Sequence, residues 1–186
     1  MSLSKDIHDM TEVEILQSVA AGNHSAYGEI FSRHRERAFA LAYQYLHNSE
    51  DAKDIVQDAF IKAFQNLNKF QLDRRFGPWL LTIVRNLAID HIRRRKKVSP
   101  DGLPAVLPDP HSRASAERRV IRGEIWSALV QLSHNQREII FLKDYQGHSY
   151  LEIAEILEIP LGTVMSRLHH ARKNLIKALR VKHNEM

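Results

Sequence analysis

Residues 149–175 constrain the fold more than any other stretch, and they read SYLEIAEILEIPLGTVMSRLHHARKNL. Two segments with apolar residues at helical spacing flank the tripeptide Glu158-Ile159-Pro160. Ser149-x-x-Glu152 is a capping box, which predicts where the first helix begins. Pro160 cannot continue that helix, yet its fixed backbone angle suits the start of the next one. The stretch therefore predicts two helices held at an angle by a tight turn.

The second of these helices has two contrasting faces. Its apolar face can pack against the first helix and consists of Leu161, Val164, Leu168, Ala171 and Leu175. Its other face is polar, and no acid occurs between Glu158 and Glu185. This pattern is typical of a helix-turn-helix, whose second helix enters the major groove of DNA. A structural helical hairpin with a solvated basic face is the alternative interpretation.

If this helix binds DNA, its cations and its uncharged side chains have different tasks. Cations contact phosphates and fix the register, whereas side chains that enter the groove read base edges. We expect phosphate contacts from Arg167, Arg172 and Lys173. We expect contacts with base edges from Met165, Ser166, His169 and His170.

The composition limits both the fold class and the chemistry. With 7 glycines and 6 prolines in 186 residues, and abundant helix formers, an all-α chain is favoured. There is no cysteine, which excludes disulfides, thiol chemistry and cysteine-ligated zinc and suits a reducing cytosol. No apolar run approaches the roughly 18 residues of a membrane span, and no signal peptide opens the sequence. We therefore expect a cytoplasmic protein without direct membrane insertion.

A proline-rich segment separates two helical halves. Four of the six prolines fall within VSPDGLPAVLPDPHS, residues 98–112, which lacks helical periodicity. The first half closes with the basic block Arg93–Lys97, and a second cluster of cations lies in the last helix. Two such blocks favour a polyanionic partner. We predict two all-α bundles, residues 1–97 and 114–186, joined by a linker over residues 98–113, with the helix-turn-helix ending the second bundle.

Caps and periodicity predict the individual helices. In the first half, helices are expected from the capping box Thr11-x-x-Glu14 to about Gly22, over Ser25–Leu46, after a cap at Asn48–Asp51, and from Gly77-Pro78 to about Lys96. The third helix should bury Ala52, Ile55, Val56, Ala59, Phe60, Ala63, Phe64 and Leu67. The fourth should bury Trp79, Leu80, Ile83, Val84, Leu87 and Ile92. In the second half we predict a helix over 114–132 and a capping box at Ser133-x-x-Gln136.

These motifs together resemble a known family. The stretch 149–175 is similar to the carboxy-terminal DNA-reading motif of bacterial sigma factors, in particular the extracytoplasmic-function (ECF) group. EDAKDIVQDAFIKAF, followed by FGPWLLTIVRNLAIDHIRRRKK, resembles the amino-terminal domain of that group. The resemblance covers roughly residues 11–97 and 114–180, with a dissimilar linker between them.

The resemblance implies how the two halves act. The amino-terminal domain would dock on the β′ clamp helices of core RNA polymerase and open the −10 element of promoter DNA. The carboxy-terminal domain would read the −35 element and touch the β flap, with Thr163 joining the seven DNA-contacting residues named above. The linker would run toward the RNA exit path. ECF sigma factors also commonly answer to a dedicated anti-sigma factor, so we expect one as a partner.

Two surfaces of the first half fit these roles. Polar residues and one apolar residue lie off the buried stripe of the third helix, and such a patch suits a basic helical partner. The implied docking residues are Asp51, Asp54, Gln57, Asp58 and Ile61. The loop before the fourth helix mixes aromatics with cations, which suits an unstacked base and its phosphates. The residues implied for the −10 element are Phe70, Arg74, Arg75, Phe76, Arg85, Asn86 and Arg93. Ordinary surface helix and core packing of a phenylalanine are the alternatives.

The sequence departs from the family pattern at a few positions. Glu158 stands where many relatives have a turn glycine, so the turn must avoid a left-handed residue or be slightly strained. Met165 and His170 occupy positions where arginine or lysine is common, so the promoter sequence of relatives cannot be transferred to this chain.

Two other classes of function are weighed against the sigma factor. A stand-alone two-domain helix-turn-helix regulator would bind duplex DNA by itself, but it would need neither docking nor strand-opening motifs. A helical metalloenzyme is suggested by 11 histidines, yet these are scattered and form no H-E-x-x-H motif. We expect no cofactor and no catalytic activity.

Overall fold

The computed structural model describes residues 7–98, 125 and 127–183, and the chain divides into two compact units, residues 1–104 and 105–186. Within the described ranges the regular secondary structure is helical and contains no strand, which confirms the all-α class. None of the helices in these ranges is long and apolar enough to cross a membrane. Most of the predicted linker and of the predicted helix over 114–132 lies outside the described residues.

The first unit is built from four α-helices: α1 (Glu12–Ala20), α2 (Tyr27–Leu46), α3 (Ser49–Gln65) and α4 (Phe76–Val98). Short 3₁₀ turns at Ile7–Asp9, His24–Ala26 and Leu67–Lys69 complete it. The capping box of α1 is present as predicted, because the Thr11 N–H donates to the Glu14 carboxylate at 2.6 Å and the Glu14 N–H donates to Thr11 Oγ1. Asn48 caps α3 through its side-chain oxygen, which accepts the N–H groups of Glu50 and Asp51.

The core of the first unit lies where α2, α3 and α4 pack against one another. Six of the predicted α3 residues, Ala52 through Ala63, are buried, and so is Leu67. The prediction that Phe64 is buried is wrong. Phe64 is 37% exposed, and its ring packs on the rings of Tyr27 and His24 instead. Its partners come from the start of α2 and the turn before it, so it covers the end of the bundle rather than filling the centre.

The buried stripe of α4 also differs from the prediction. Phe76, Leu80, Leu81, Val84 and Ala88 are buried apolar residues of its first half. The predicted Trp79, Ile83, Leu87 and Ile92 are only half-buried. Since apolar residues flank the stripe on both sides, periodicity alone could not show which edge α2 and α3 would cover. The packing of the two neighbouring helices selects the Leu81 edge.

The second unit contains α5 (His134–Ile140), a π-helical turn (Phe141–Tyr145), α6 (Tyr150–Leu157) and α7 (Leu161–His183). Its core includes Leu142 of the π turn and the buried faces of the three helices. Val164, Leu168 and Ala171 of α7 are buried as predicted, whereas Leu161 and Leu175 are half-buried.

The predicted capping box at Ser133 is wrong, although Ser133 is the N-cap residue of α5. Its side chain makes no capping hydrogen bond. Its carbonyl accepts the N–H groups of Gln136 and Arg137, each at 3.0 Å. The Arg137 guanidinium in turn donates to the carbonyls of Val130 and Leu132, both at 2.9 Å. A cation that binds the preceding turn therefore fixes this junction.

Candidate DNA and polymerase interfaces

Hydrogen bonds fix both ends of α6, and backbone hydrogen bonds flank the turn that joins it to α7. The capping box that begins α6 is present, because the Ser149 N–H donates to the Glu152 carboxylate at 2.7 Å and the Glu152 N–H donates to Ser149 Oγ at 3.2 Å. At its other end Glu158 adopts the left-handed conformation, with φ 54° and ψ 44°. The Ile159 N–H then donates to the Ala154 carbonyl at 3.0 Å, which makes a Schellman motif.

Pro160 is the residue immediately before α7. Its carbonyl accepts the N–H groups of Thr163 and Val164, at 2.9 and 3.1 Å. Of the two outcomes expected for a turn without glycine, the structure therefore shows the strained one, at Glu158. The left-handed conformation costs a residue with a side chain about 1–2 kcal/mol. The hydrogen bonds of the Schellman motif offset this cost and fix the angle between the two helices.

The outward face of α7 presents most of the predicted DNA-contacting side chains to solvent. Exposed residues on it are Met165, Ser166, His169, His170 and Lys173, while Thr163 and Arg167 are half-buried. The Ser166 hydroxyl donates to the Thr163 carbonyl at 3.2 Å. The rings of His169 and His170 meet edge to face, with centroids 5.5 Å apart. The helix thus offers donors, acceptors and an apolar side chain on one surface.

Arg172 is placed differently from the other predicted cations. Its guanidinium forms a two-point ion pair with Asp144 of the π turn, with Nε at 3.2 Å from Oδ2 and Nη2 in contact with Oδ1. The hydrogen bond with Asp144 raises the pKa of Arg172, with a further contribution from Tyr150. A phosphate contact by Arg172 stays a prediction, and it would have to share or open this ion pair.

Arg167 is half-buried and interacts electrostatically with a buried carboxyl of the second unit. Glu138 of α5 is fully buried, and this burial raises the pKa of its carboxyl to about 7, against the opposing effect of the Arg167 charge. Arg167 therefore acts electrostatically on a core carboxyl as well as lying beside the predicted DNA face.

The predicted docking residues of α3 divide into two groups. Asp54, Gln57, Asp58 and Ile61 are exposed and, at spacings of three and four residues, share one face of the helix. We call these four residues the α3 patch. Ile61 is 47% exposed, which is high for a large apolar side chain in the middle of a helix.

Asp51 does not belong to the α3 patch. Its carboxylate lies 2.9 Å from Arg95 Nη1 and 3.7 Å from His91 Nε2, both on α4. Asp51 therefore joins α3 to α4, and a docking contact by Asp51 stays a prediction that would have to share this ion pair.

The two phenylalanines expected to face a −10 base are core residues. Phe76 is fully buried and Phe70 is 8% exposed. Their rings lie 5.7 Å apart, and the Phe70 ring lies 4.8 Å from that of Trp79. Moving either ring toward a base would open the core, so the core alternative holds for both. The two rings instead form a buried support beneath the loop.

The polar residues predicted for the −10 element remain at the surface. Arg74 and Arg75 in the loop and Asn86 and Arg93 on α4 are exposed, while Arg85 is half-buried. Arg93 Nη2 lies 3.1 Å from the Asp90 carboxylate. Asn86 and Arg93 are seven residues apart, which places them on one side of the helix.

Sequence reasoning missed Glu138 and Asp144. A signal existed for Glu138, because it lies four residues before buried Leu142, at the spacing of one helix face. For Asp144 there was none, since its partner is 28 residues away and the contact depends on how α7 packs on the π turn. Among the described residues, no group of three histidine, aspartate or glutamate side chains is arranged to hold a metal ion.

Comparison with known proteins identifies the family of the chain. Residues 30–98 match the family model Sigma-70 region 2, and residues 122–175 match Sigma-70, region 4. The ECF RNA polymerase sigma factor SigW of Bacillus subtilis is 33% identical over 177 residues, which cover 89% of this chain and 95% of SigW. The chain belongs to the ECF sigma factors. It directs promoter-specific transcription initiation by RNA polymerase.

Other ECF sigma factors are similar over comparable lengths. SigM of Mycobacterium tuberculosis is 33% identical, covering 92% of this chain and 86% of SigM. The sigma factor RpoE of Bartonella quintana, solved with the anti-sigma factor NepR, has a TM-score of 0.70 at 28% identity and covers 83% of this chain and 97% of RpoE. CnrH, solved with the cytosolic domain of CnrY, has a TM-score of 0.68 at 26% identity and covers 91% of this chain and 97% of CnrH. These comparisons name no catalytic activity, and they do not favour a stand-alone regulator.

Proposed function

We propose that α7 is the helix by which this sigma factor reads the −35 element. The observation that carries this assignment is the exposed polar face of α7, presented by a turn whose backbone is fixed by hydrogen bonds at both ends. A helix that enters the major groove must hold its orientation to discriminate between bases. Base contacts come from Met165, Ser166, His169 and His170, while Lys173 neutralises a phosphate.

The loop before α4 and the exposed side of that helix handle the −10 element. Arg74 and Arg75 supply two cations next to the buried rings of Phe70 and Phe76, which support the loop. Asn86 offers an amide that can hydrogen-bond the edge of an unstacked base. Arg93, the first residue of the basic block Arg93–Lys97, extends this surface along α4.

The α3 patch docks on core RNA polymerase. Two carboxylates beside an exposed isoleucine give both charge attraction and apolar burial, which together suit a basic helical partner such as the β′ clamp helices. The second unit would contact the β flap. A dedicated anti-sigma factor is a further partner, supported by the RpoE and CnrH structures, whose complexes contain an anti-sigma factor and the cytosolic domain of CnrY.

In this function the chain acts by binding alone. It needs no cofactor and catalyses no reaction of its own, because polymerase supplies the chemistry. It works in the cytoplasm, where bacterial polymerase and chromosome are found.

Run-off transcription tests the proposal. Purified core polymerase is mixed with the full chain and a library of genomic promoter fragments, and initiated transcripts are sequenced. We expect a set of start sites that share a −35 and a −10 element and that require the chain. A transcript pattern unchanged by the chain would contradict the proposal.

A further inference from the structure

Glu12 joins three helices of the first unit. It is the first residue of α1, and its carboxylate lies 2.5 Å from Nε2 of His34 on α2. The backbone N–H of Phe76, the first residue of α4, donates to the same carboxylate. The first N–H groups of a helix have no partner within that helix. A side chain from α1 therefore caps α4.

His34 holds the same end of α4 from a second direction. Its ring meets the Phe76 ring edge to face, with centroids 5.4 Å apart. A Cβ on Gly77 would lie only 3.2 Å from His34 Cε1, so the absence of a side chain at Gly77 allows this approach. We call Glu12, His34 and the Phe76-Gly77 backbone the α4 clip.

The Glu12 carboxylate is suited to this task. Burial raises its pKa. The hydrogen bond and charge of His34, together with the Phe76 N–H and the charge of Arg33, lower the pKa by more than burial raises it, so the net pKa lies below the usual value. The group therefore stays ionised at neutral pH. An ionised carboxylate accepts hydrogen bonds more strongly than a neutral one and interacts favourably with the N-terminus of a helix.

The α4 clip lies next to the loop that carries Arg74 and Arg75. Phe76 directly follows Arg75, and Phe70, on the other side of the loop, is held by its contact with Trp79. Both ends of the loop are thus anchored, while its cations are exposed. Loss of the anchor at Phe76 would allow the first turn of α4 to fray and the two arginines to move.

We propose that Glu12 and His34 are positioning residues for −10 recognition, acting through Phe76-Gly77 on the loop over residues 71–75. This inference rests on the proposed role of that loop. Neither residue touches DNA, so their effect is to fix which base the loop accepts rather than to bind it.

Base preference is the decisive measurement, because it does not depend on the fraction of folded protein. Holoenzyme is assembled from core polymerase and the full chain, and its affinity is measured for single-stranded −10 oligonucleotides with each base at each position. Glu12→Ala should reduce the preference at one or two positions at least threefold. Glu12→Gln keeps an oxygen that can accept the Phe76 N–H, so it should restore most of the preference.

Thr11→Ala is the matched control. It removes the side-chain cap of α1, at a cost of about 1 kcal/mol, without removing the Glu12 carboxylate. Its base preference should equal that of the wild type. Gly77→Ala gives an independent variant, since its new Cβ crowds the His34 ring while every other group of the α4 clip is kept; the preference should fall.

The outcomes separate this inference from the proposed function. Wild-type holoenzyme that shows no base preference would overturn the role of the loop itself. If the wild type discriminates and Glu12→Ala discriminates equally well, or if Thr11→Ala loses as much preference as Glu12→Ala, the positioning role is wrong and the function stands.

Discussion

At the scale of single residues, Glu158 holds a backbone conformation that glycine adopts without strain. Its left-handed φ of 54° closes α6 in the Schellman motif. We predict that Glu158→Gly stabilises the second unit by about 1 kcal/mol, because it relieves the contact of Cβ with the backbone. Thermal unfolding followed by circular dichroism measures the change, expected as a rise of about 4–8 °C.

Lys177→Gly is the control for this substitution. Lys177 is exposed within α7, so glycine there should destabilise the unit by about 1 kcal/mol. Equal losses from both substitutions would mean that the left-handed position carries no strain.

Arg172 and Lys173 are neighbours on α7 but differ in their contacts. The logarithm of the affinity for −35 DNA falls linearly with the logarithm of the salt concentration, and the slope below means the size of this decrease. We predict that Lys173→Ala lowers this slope by about one unit. Arg172→Ala should lower it by less, because Asp144 already neutralises that guanidinium. Asp144→Ala should raise the slope by releasing Arg172. Affinities at several salt concentrations for the three variants check this, and equal slopes for Arg172→Ala and Lys173→Ala would show that the ion pair opens on DNA.

At the scale of helices, the buried carboxyl of Glu138 on α5 makes the stability of the second unit depend on pH. The pKa of Glu138 is about 7 in the folded chain against 4.5 in the unfolded chain. Between these values the folded state binds more protons, so stability falls as pH rises from 4.5 to 7. The total loss is about 3 kcal/mol, and it is complete above pH 7.

Glu138→Gln should abolish this dependence, since an amide does not titrate. The stability difference between variant and wild type, from urea unfolding at pH 5 to 8, isolates Glu138 because other groups cancel. The variant should gain relative stability as pH rises. A constant difference would mean that Glu138 is ionised when folded and that the charge of Arg167 outweighs burial.

The α3 patch gives a second prediction at this scale. Reversing charge with Asp54→Lys and Asp58→Lys should weaken association with core polymerase at least tenfold while leaving helicity unchanged, because both side chains are exposed. Fluorescence titration with core polymerase measures the affinity. The double variant Asp9→Lys, Glu36→Lys carries the same change in net charge at exposed positions off the patch. Similar losses in both double variants would place docking elsewhere.

At the scale of the whole molecule, promoter recognition should depend on polymerase. We predict that the isolated chain protects promoter DNA weakly and that core enzyme makes protection strong, since −10 bases are read only in a melted strand. Footprinting with and without core polymerase tests this. Tight, specific protection by the chain alone would instead support the stand-alone regulator.

The sequence by itself determined the features whose physical cause is local. Two capping boxes, the Asn48 cap and the break at Pro160 each depend on groups within three or four residues of one another. Apolar periodicity likewise determined the all-α class and the buried face of α7. These are the features from which the helix-turn-helix could be predicted without the structure, because the chain needs no distant partner to satisfy them.

Only the tertiary structure decided the contacts between distant segments. Asp51 meets Arg95 across 44 residues, Arg172 meets Asp144 across 28, and His34 meets Glu12 across 22. The burial of Phe70 and Phe76 also depends on how helices pack, because an aromatic ring beside cations suits either a core or a base. A helical period shows that a side chain lies on a given face, but which neighbour covers that face is a property of the packed bundle.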